Sequence, residues 1–174
     1  WLPIMENVVA VGTDSDGCQR YLVVRPARRT MIQIHIGKKK YRQVVQMPNL
    51  LAELIAEKSE KGPNFKNIEA VYAFAGKLHE NTVLCVPPLP NVYDSGKVCM
   101  GDVSVRRWTS LNAAEVFENA FIRSPFTDHV LDRHLADCYA KKYRNIIDAL
   151  RKLKGNIPIK MLKKVKTYGD IFKE

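Results

Sequence analysis

Residues 89–108 read LPNVYDSGKVCMGDVSVRRW, and the arrangement of this segment governs the rest of the chain. Pro87, Pro88 and Pro90 remove three backbone donors within four positions, so a strand arriving through NTVLCV must end there and hand over to a loop. Asp94-Ser95-Gly96 is strong turn chemistry, and it separates Asn91 from Cys99, eight positions later. A cysteine placed just after such a turn is not in the usual place for a core residue. One short segment thus supplies a candidate nucleophile, an amide side chain and the turn that holds them together.

Upstream of the loop the chain reads as β. ENVVAVGT, RYLVVRP and TMIQIHI are short Val/Ile-rich runs separated by the turn-like DSDG and PARR, and KKKYRQVVQMP continues them. Hairpin-length connections predict an antiparallel meander. NLLAELIAEKSEKG, with apolar residues at 51, 54 and 55 before it turns polar, reads as a short helix. NIEAVYAFAG and NTVLCVPP return to strand character, and Cys85 within the second reads as a buried small hydrophobe.

Downstream the period changes. Asn112 and Glu115 form a predicted cap pair, and Val116, Phe117, Ala120 and Phe121 fall on one stripe. Leu131, Leu135, Tyr139, Ile146, Leu150 and Leu153 recur at helical spacing and predict one long helix over 130–154, stopped by Gly155. IPIKMLKKV and TYGDIF close the chain as an extended piece and a turn. The expected fold is α+β in a single domain over 1–174: strand-rich 1–86, an active-site loop 87–108 and a helical part 109–174.

With 174 residues and 46% hydrophobic content the chain is large enough to bury a real core. No stretch of about eighteen apolar residues exists to span a membrane as a helix. Cys18, Cys85, Cys99 and Cys138 are scattered without a CxxC pair, which points to free thiols in a reducing cytoplasm rather than a disulfide framework. His134 and Cys138, read as i and i+4 on one helix, are two ligands where structural zinc wants four, so neither metal nor cofactor is expected. The net charge of +10 is concentrated: residues 141–166 hold ten Lys or Arg against a single acid, Asp148. Such a patch suits a polyanion or an acidic protein, and a solvated helix face is the competing reading.

Thiolate is the reactive form of cysteine, and a thiol of pKa near ~8.5 is only slightly ionised at neutral pH. Lys97, Arg106 and Arg107 flank Cys99, but no histidine lies between His79 and His129, so a Cys–His hydrolase finds no local support. A cysteine without a dedicated base suits another task, carrying an activated acyl group as a thioester. What aminolysis then needs is a donor for the developing oxyanion, and the Asn91 amide is the local candidate. A structural turn role for Asn91 is compatible with that.

LPNVYDSGKVCMGDV followed by Trp108 resembles the active-site segment of ubiquitin-conjugating enzymes, matching at Pro90, Asn91, Tyr93, Gly96 and Cys99. NTVLCVPPLPNVYDSGKVCMGD, FENAFIRSPFTDH and IPIKMLKKVKTYGDIF are similar to the bacterial branch known as prokaryotic ubiquitin-conjugating family D, to which proteins of PRTRC systems belong. The resemblance implies a ubiquitin-conjugating-enzyme-like α+β fold, a thioester on Cys99 and an oxyanion or loop-bracing role for Asn91. It further implies that Pro90, Tyr93, Gly96, Asp102 and Trp108 support the loop, with Trp108 packed beneath it. The implied partners are a ubiquitin-like protein, an adenylating ThiF-like activating enzyme and a deconjugating metalloprotease encoded nearby, with the protein substrate unknown. Leu89 stands where the family usually carries His, so a hydrogen bond that often braces the loop is expected to be missing. Asp102 and Asp128 are candidate acids toward an incoming lysine, each with an ordinary capping role as the alternative. Lys141, Lys142 and Arg144 are the candidate docking residues for a partner's acidic face. Two further readings stand beside the transferase: a non-catalytic module of the same fold that binds a ubiquitin-like protein, and a basic nucleic-acid-binding domain, for which the region lacks base-stacking aromatics.

Overall fold

In the computed structural model, residues 7–13, 16–101, 112–131 and 133–173 are described. Their strands are β1 (Val8–Thr13), β2 (Gln19–Arg25), β3 (Arg28–Ile36), β4 (Lys39–Met47), β5 (Asn49–Ser59), β6 (Gly62–Phe74), β7 (Val83–Cys85), β8 (Phe126–Thr127) and β9 (Lys164–Thr167). The helices are short: α1 (Ala113–Phe117), continued by a π-helical turn over Glu118–Ile122, then α2 (Asp137–Ala140) and α3 (Ile146–Lys152). The molecule is therefore mostly β. One sheet has the order β1-β2-β5-β6-β7-β9 and is antiparallel throughout. A second, β4-β3-β8, combines the β3–β4 hairpin with a parallel pairing of β3 and β8.

This is not a simple meander. Pro26 ends β2, and the β3–β4 hairpin, closed by a two-residue turn with Gly37 at φ 56°, leaves the first sheet so that β2 pairs directly with β5. Asn49 stitches the crossing: its Oδ1 accepts from the Ala27 amide at 2.8 Å and its Nδ2 donates to the Gly76 carbonyl at 3.1 Å.

Residues 49–59 form strand β5, not the expected helix. Leu50, Ala52, Leu54 and Ala56 enter the main core, while Leu51 packs on the other face with Leu22, Tyr72 and Phe74. A strand covered on both faces carries a continuous apolar run, which mimics a helical stripe at this length. Glu53, buried within that run, is matched by Arg20 on β2 at 2.9 Å. Cys85 is buried in β7 as expected, and burial pushes its thiol up against the weaker pull of Lys164.

The predicted helix over 130–154 is also replaced. Leu135 makes an extended bridge with Leu162, and the Ala136 amide donates to the Met161 carbonyl, so 133–136 run as an added strand-like piece. Asn145 then restarts the helix, its Oδ1 accepting from the Asp148 amide at 2.9 Å. The apolar spacing belongs to separate segments that happen to share a period. Consequently His134 and Cys138 do not share a helix: the first is buried before α2 and the second exposed within it. The C-terminal part, expected to be helical apart from a short extended piece, carries α1, α2 and α3 and also contributes β8 and β9. The cap at α1 is as predicted, with Asn112 and Glu115 exchanging both bonds of a capping box.

Arg25 docks the π-helical turn onto β2. Its Nε donates to Glu118 at 2.8 Å, and its Nη2 to Thr30 Oγ1 at 2.8 Å, while Arg28 reaches the same carboxylate at 2.8 Å. Burial pushes the Glu118 carboxyl up, but the two guanidiniums outweigh it and hold the group below the usual carboxylate range. No helix among the described residues is long and apolar enough to cross a membrane.

A carboxyl depressed on folding contributes stability above its unfolded pKa of about 4.3 and loses it as pH falls through the lower folded value. Urea titrations are therefore expected to show stability dropping from about pH 5 downward, and Glu118→Gln to flatten that slope. At neutral pH the variant should be destabilised by about 3 kcal/mol, because Arg25, 5% exposed, is left without its counter-charge.

Candidate active site

After β7 the prolines carry the chain off the sheet, and residues 92–98 fold back as a small hairpin. Val92 bridges Val98, the Tyr93 amide donates to the Lys97 carbonyl at 2.8 Å, and the Gly96 amide to the Tyr93 carbonyl at 2.9 Å. The hairpin lies along β6: Val71 N–H donates to Gly96 O at 2.9 Å and Val98 N–H to Glu69 O at 3.0 Å. Gly96, at φ 86°, rests on the ring of Tyr72 so closely that a Cβ would overlap it. That contact sets how near the loop approaches the sheet.

Asn91 is the hub of the loop. It adopts φ 67°, a left-handed conformation that Asn tolerates better than most residues, and its carbonyl accepts from the Cys99 amide at 2.7 Å. Its own amide donates to the Val130 carbonyl at 3.3 Å. The side-chain Oδ1 accepts from both the amide (3.1 Å) and the hydroxyl (2.9 Å) of Thr127. A backbone N–H can only donate, so it fixes which end of the Asn91 amide is oxygen. The two Nδ2 hydrogens are left without a protein acceptor among the described residues. Thr127 lies in β8, registered against His35 of β3, so Asn91 ties the loop of one sheet to the edge of the other.

Asn91 and Cys99 line a common small cleft with Met100, Phe121, Ser124 and Phe126. The aromatic wall is built by the π-helical turn, with Phe121 edge-on to Phe126 at 5.3 Å. Cys99 is half-buried, and its sulfur is hydrogen-bonded by the hydroxyl of Tyr93, itself 46% exposed. That hydrogen bond and the neighbouring sulfur charge push the Tyr93 phenol up. On the far side of the hairpin, Asp94 accepts from Lys163 at 2.9 Å and Arg133 at 3.4 Å. Lys163 above all, with Arg133, holds its carboxyl below the usual range despite a small opposing desolvation.

The structure thus brings together Pro90, Asn91, Tyr93, Gly96 and Cys99. Asp102 and Trp108 lie outside the described residues. Asp128, directly after Thr127, is exposed. Lys141, Lys142 and Arg144 are exposed around the end of α2, and the cations that touch the loop are instead Lys163 and Arg133. Among the described residues no three His, Cys, Asp or Glu side chains cluster as metal ligands. Thr127, Val130 and Lys163 have no sequence signal linking them to the loop, since each meets it across tens of residues. The brace expected to be missing at Leu89 is present in another form: the Leu89 carbonyl accepts from His134 Nε2 at 2.9 Å.

A half-buried cysteine and an asparagine eight residues before it thus share one cleft, on a loop seated against the antiparallel sheet. The match to the model of prokaryotic E2 family D extends over residues 4–164, and the chain belongs to that family. No curated protein and no solved structure matches it significantly.

Gly96→Ala is expected to cost about 2 kcal/mol or more, from the left-handed backbone and the overlap with Tyr72 together. Thermal melting would measure it; an unchanged midpoint would show that the hairpin has freedom to lift from β6.

Proposed function

We propose that this chain, as a single conjugating domain, carries a ubiquitin-like protein as a thioester on Cys99 and transfers it to a nucleophile. The observation that carries the reading is the Asn91–Cys99 pairing: one backbone bond of 2.7 Å, a shared cleft, and an Asn91 amide oxygen occupied by Thr127 while its N–H groups have no acceptor among the described residues.

In the first step the Cys99 thiolate attacks the C-terminal carbonyl held as a thioester on an adenylating, ThiF-like activating enzyme. A new sulfur–carbon bond forms and the activating enzyme's thiolate leaves. An amine then adds to the Cys99 thioester, the oxyanion accepts from Asn91 Nδ2, the nitrogen loses a proton, and Cys99 departs as thiolate. His134 cannot serve as base, since its ring is buried against the Leu89 and Leu131 carbonyls. A thioester is already activated, so the site's main contribution is to the oxyanion rather than to the nucleophile. A deconjugating metalloprotease would reverse the product linkage.

The test is a charging assay with activating enzyme, ATP and ubiquitin-like protein. Wild type should form a reductant-sensitive adduct, Cys99→Ser a reductant-resistant ester or none, and Cys99→Ala none. Charging of Cys99→Ala would overturn the carrier role and leave a non-catalytic binding module. Asn91→Ala should load normally yet discharge to free lysine about 100-fold more slowly.

The cations at 141–144 supply a second expectation. If they meet an acidic face of the ubiquitin-like protein or the activating enzyme, neutralising Lys141, Lys142 and Arg144 together should slow loading and weaken its salt dependence. Stopped-flow loading at two ionic strengths checks this, and unchanged rates would assign the cations to solubility.

A further inference from the structure

His134 is a buried titratable side chain with no place in the acyl-transfer steps. It is 1% exposed, sits 45 residues from Leu89 in sequence, and yet Nε2 donates to the Leu89 carbonyl at 2.9 Å. Both ring nitrogens face carbonyl oxygens, which only accept, and the shorter contact, 2.9 Å against 3.2 Å, favours the proton on Nε2. Nδ1 lies 3.2 Å from the Leu131 carbonyl, and the backbone carbonyl of His134 accepts from the Lys163 amide at 2.8 Å. The residue is therefore fixed at both ends, ring to the loop and backbone to the segment leading into β9.

Taken with the bonds around Asn91, this describes a strap. Segment 127–134 grips the three residues Leu89-Pro90-Asn91 at three points: Thr127 on the Asn91 side chain, the Val130 carbonyl on the Asn91 amide, and His134 on the Leu89 carbonyl. Thr127 and Val130 both act on Asn91 itself. Among the described residues, His134 is the side chain that grips the peptide before Pro90, whose ring fixes φ and passes that peptide's orientation to Asn91. An Asn held at φ 67° has little intrinsic reason to stay there, so the orientation of its amide depends on both ends of the strap.

We infer that His134 is a positioning residue: its buried Nε2–H, through the Leu89 carbonyl, keeps the Asn91 amide turned for thioester discharge. The inference rests on the carrier reading for its kinetic consequence, but the mechanical link from His134 to Asn91 stands apart from any activity. The carrier reading assigns the Asn91 amide to aminolysis, so a defect there should appear in discharge more than in loading.

The experiment has one structural and one kinetic arm. In wild-type protein, nitrogen-detected histidine spectra should show the Nε2 proton of His134 in slow exchange; a ring carrying its proton on Nδ1 alone would overturn the proposal without any variant. His134→Leu, apolar and of similar volume, should speed hydrogen exchange at the Thr127 amide at least about tenfold while amides of the β5–β6 ladder hold their rates. His134→Gln, which returns a donor to the Leu89 carbonyl, should restore Thr127 protection. In single-turnover assays His134→Leu should load within twofold of wild type but discharge about tenfold more slowly, and should add nothing to Asn91→Ala in the double variant. Equal slowing of loading and discharge, or multiplication of the two defects, would reduce His134 to a packing role. If wild type itself fails to load, the carrier reading falls, while the exchange data still decide whether His134 holds Asn91.

Discussion

The pairing of β5 with β6, running from Asn49 opposite Phe74 to Ser59 opposite Gly62 with register shifts at Glu53/Leu54 and Ile55/Ala56, and buried on both faces over much of its length, is the longest ladder the other strands are located against. β2 and β1 extend it on one side. On the other, β6 makes only one register pair with β7, Ala73 with Cys85, and then pairs with the returning hairpin at Lys97. The prolines explain this division: they stop β7 early and leave the donors of Val71 and the carbonyl of Glu69 for Gly96 and Val98. Cys99 thus follows a strand-like piece registered against β6. Its placement owes more to backbone hydrogen bonds than to its own side chain.

The site also depends on the two sheets being held at a fixed separation. Asn91 belongs to a loop of the first sheet, and Thr127 is paired with β3 of the second. The Arg25–Glu118 contact performs the same task from the opposite end, joining β2 to the π-helical turn that walls the cleft. Extra-residue π-helical turns commonly occur where a helix has to aim side chains at a site, and here Phe121 is aimed at Phe126 beside Cys99.

Much of this was legible in the chain. Three prolines, an Asp-Ser-Gly turn and the Asn91–Cys99 spacing located the loop, because each acts locally and has few alternatives. The Asn112–Glu115 cap was legible for the same reason. Periodicity failed where its premise failed: Leu50 to Leu54 are covered on both faces, so their run carried no strand alternation, and the apolar spacing from 131 to 153 spanned a break that Asn145 imposes. The strap was invisible for a different reason. Thr127 meets Asn91 across 36 residues and His134 meets Leu89 across 45, and no local pattern encodes such partners. Leu89 shows the point in reverse. Position 89 lacks a bracing side chain, yet its backbone carbonyl is held by His134 from 45 residues away.

The order in which the chain leaves the ribosome gives these long-range bonds a further meaning. Cys99 is synthesised well before His134, and Lys163, which anchors Asp94, comes later still. A nascent chain that has emerged as far as Asp128 contains the thiol, the asparagine and the turn, but neither the latch on Leu89 nor the β9 strand that flanks β7. The setting of the loop is therefore completed from the C-terminal side of the chain. Until His134 and Lys163 have followed, Cys99 sits in a loop that lacks two of the contacts holding it in the folded chain.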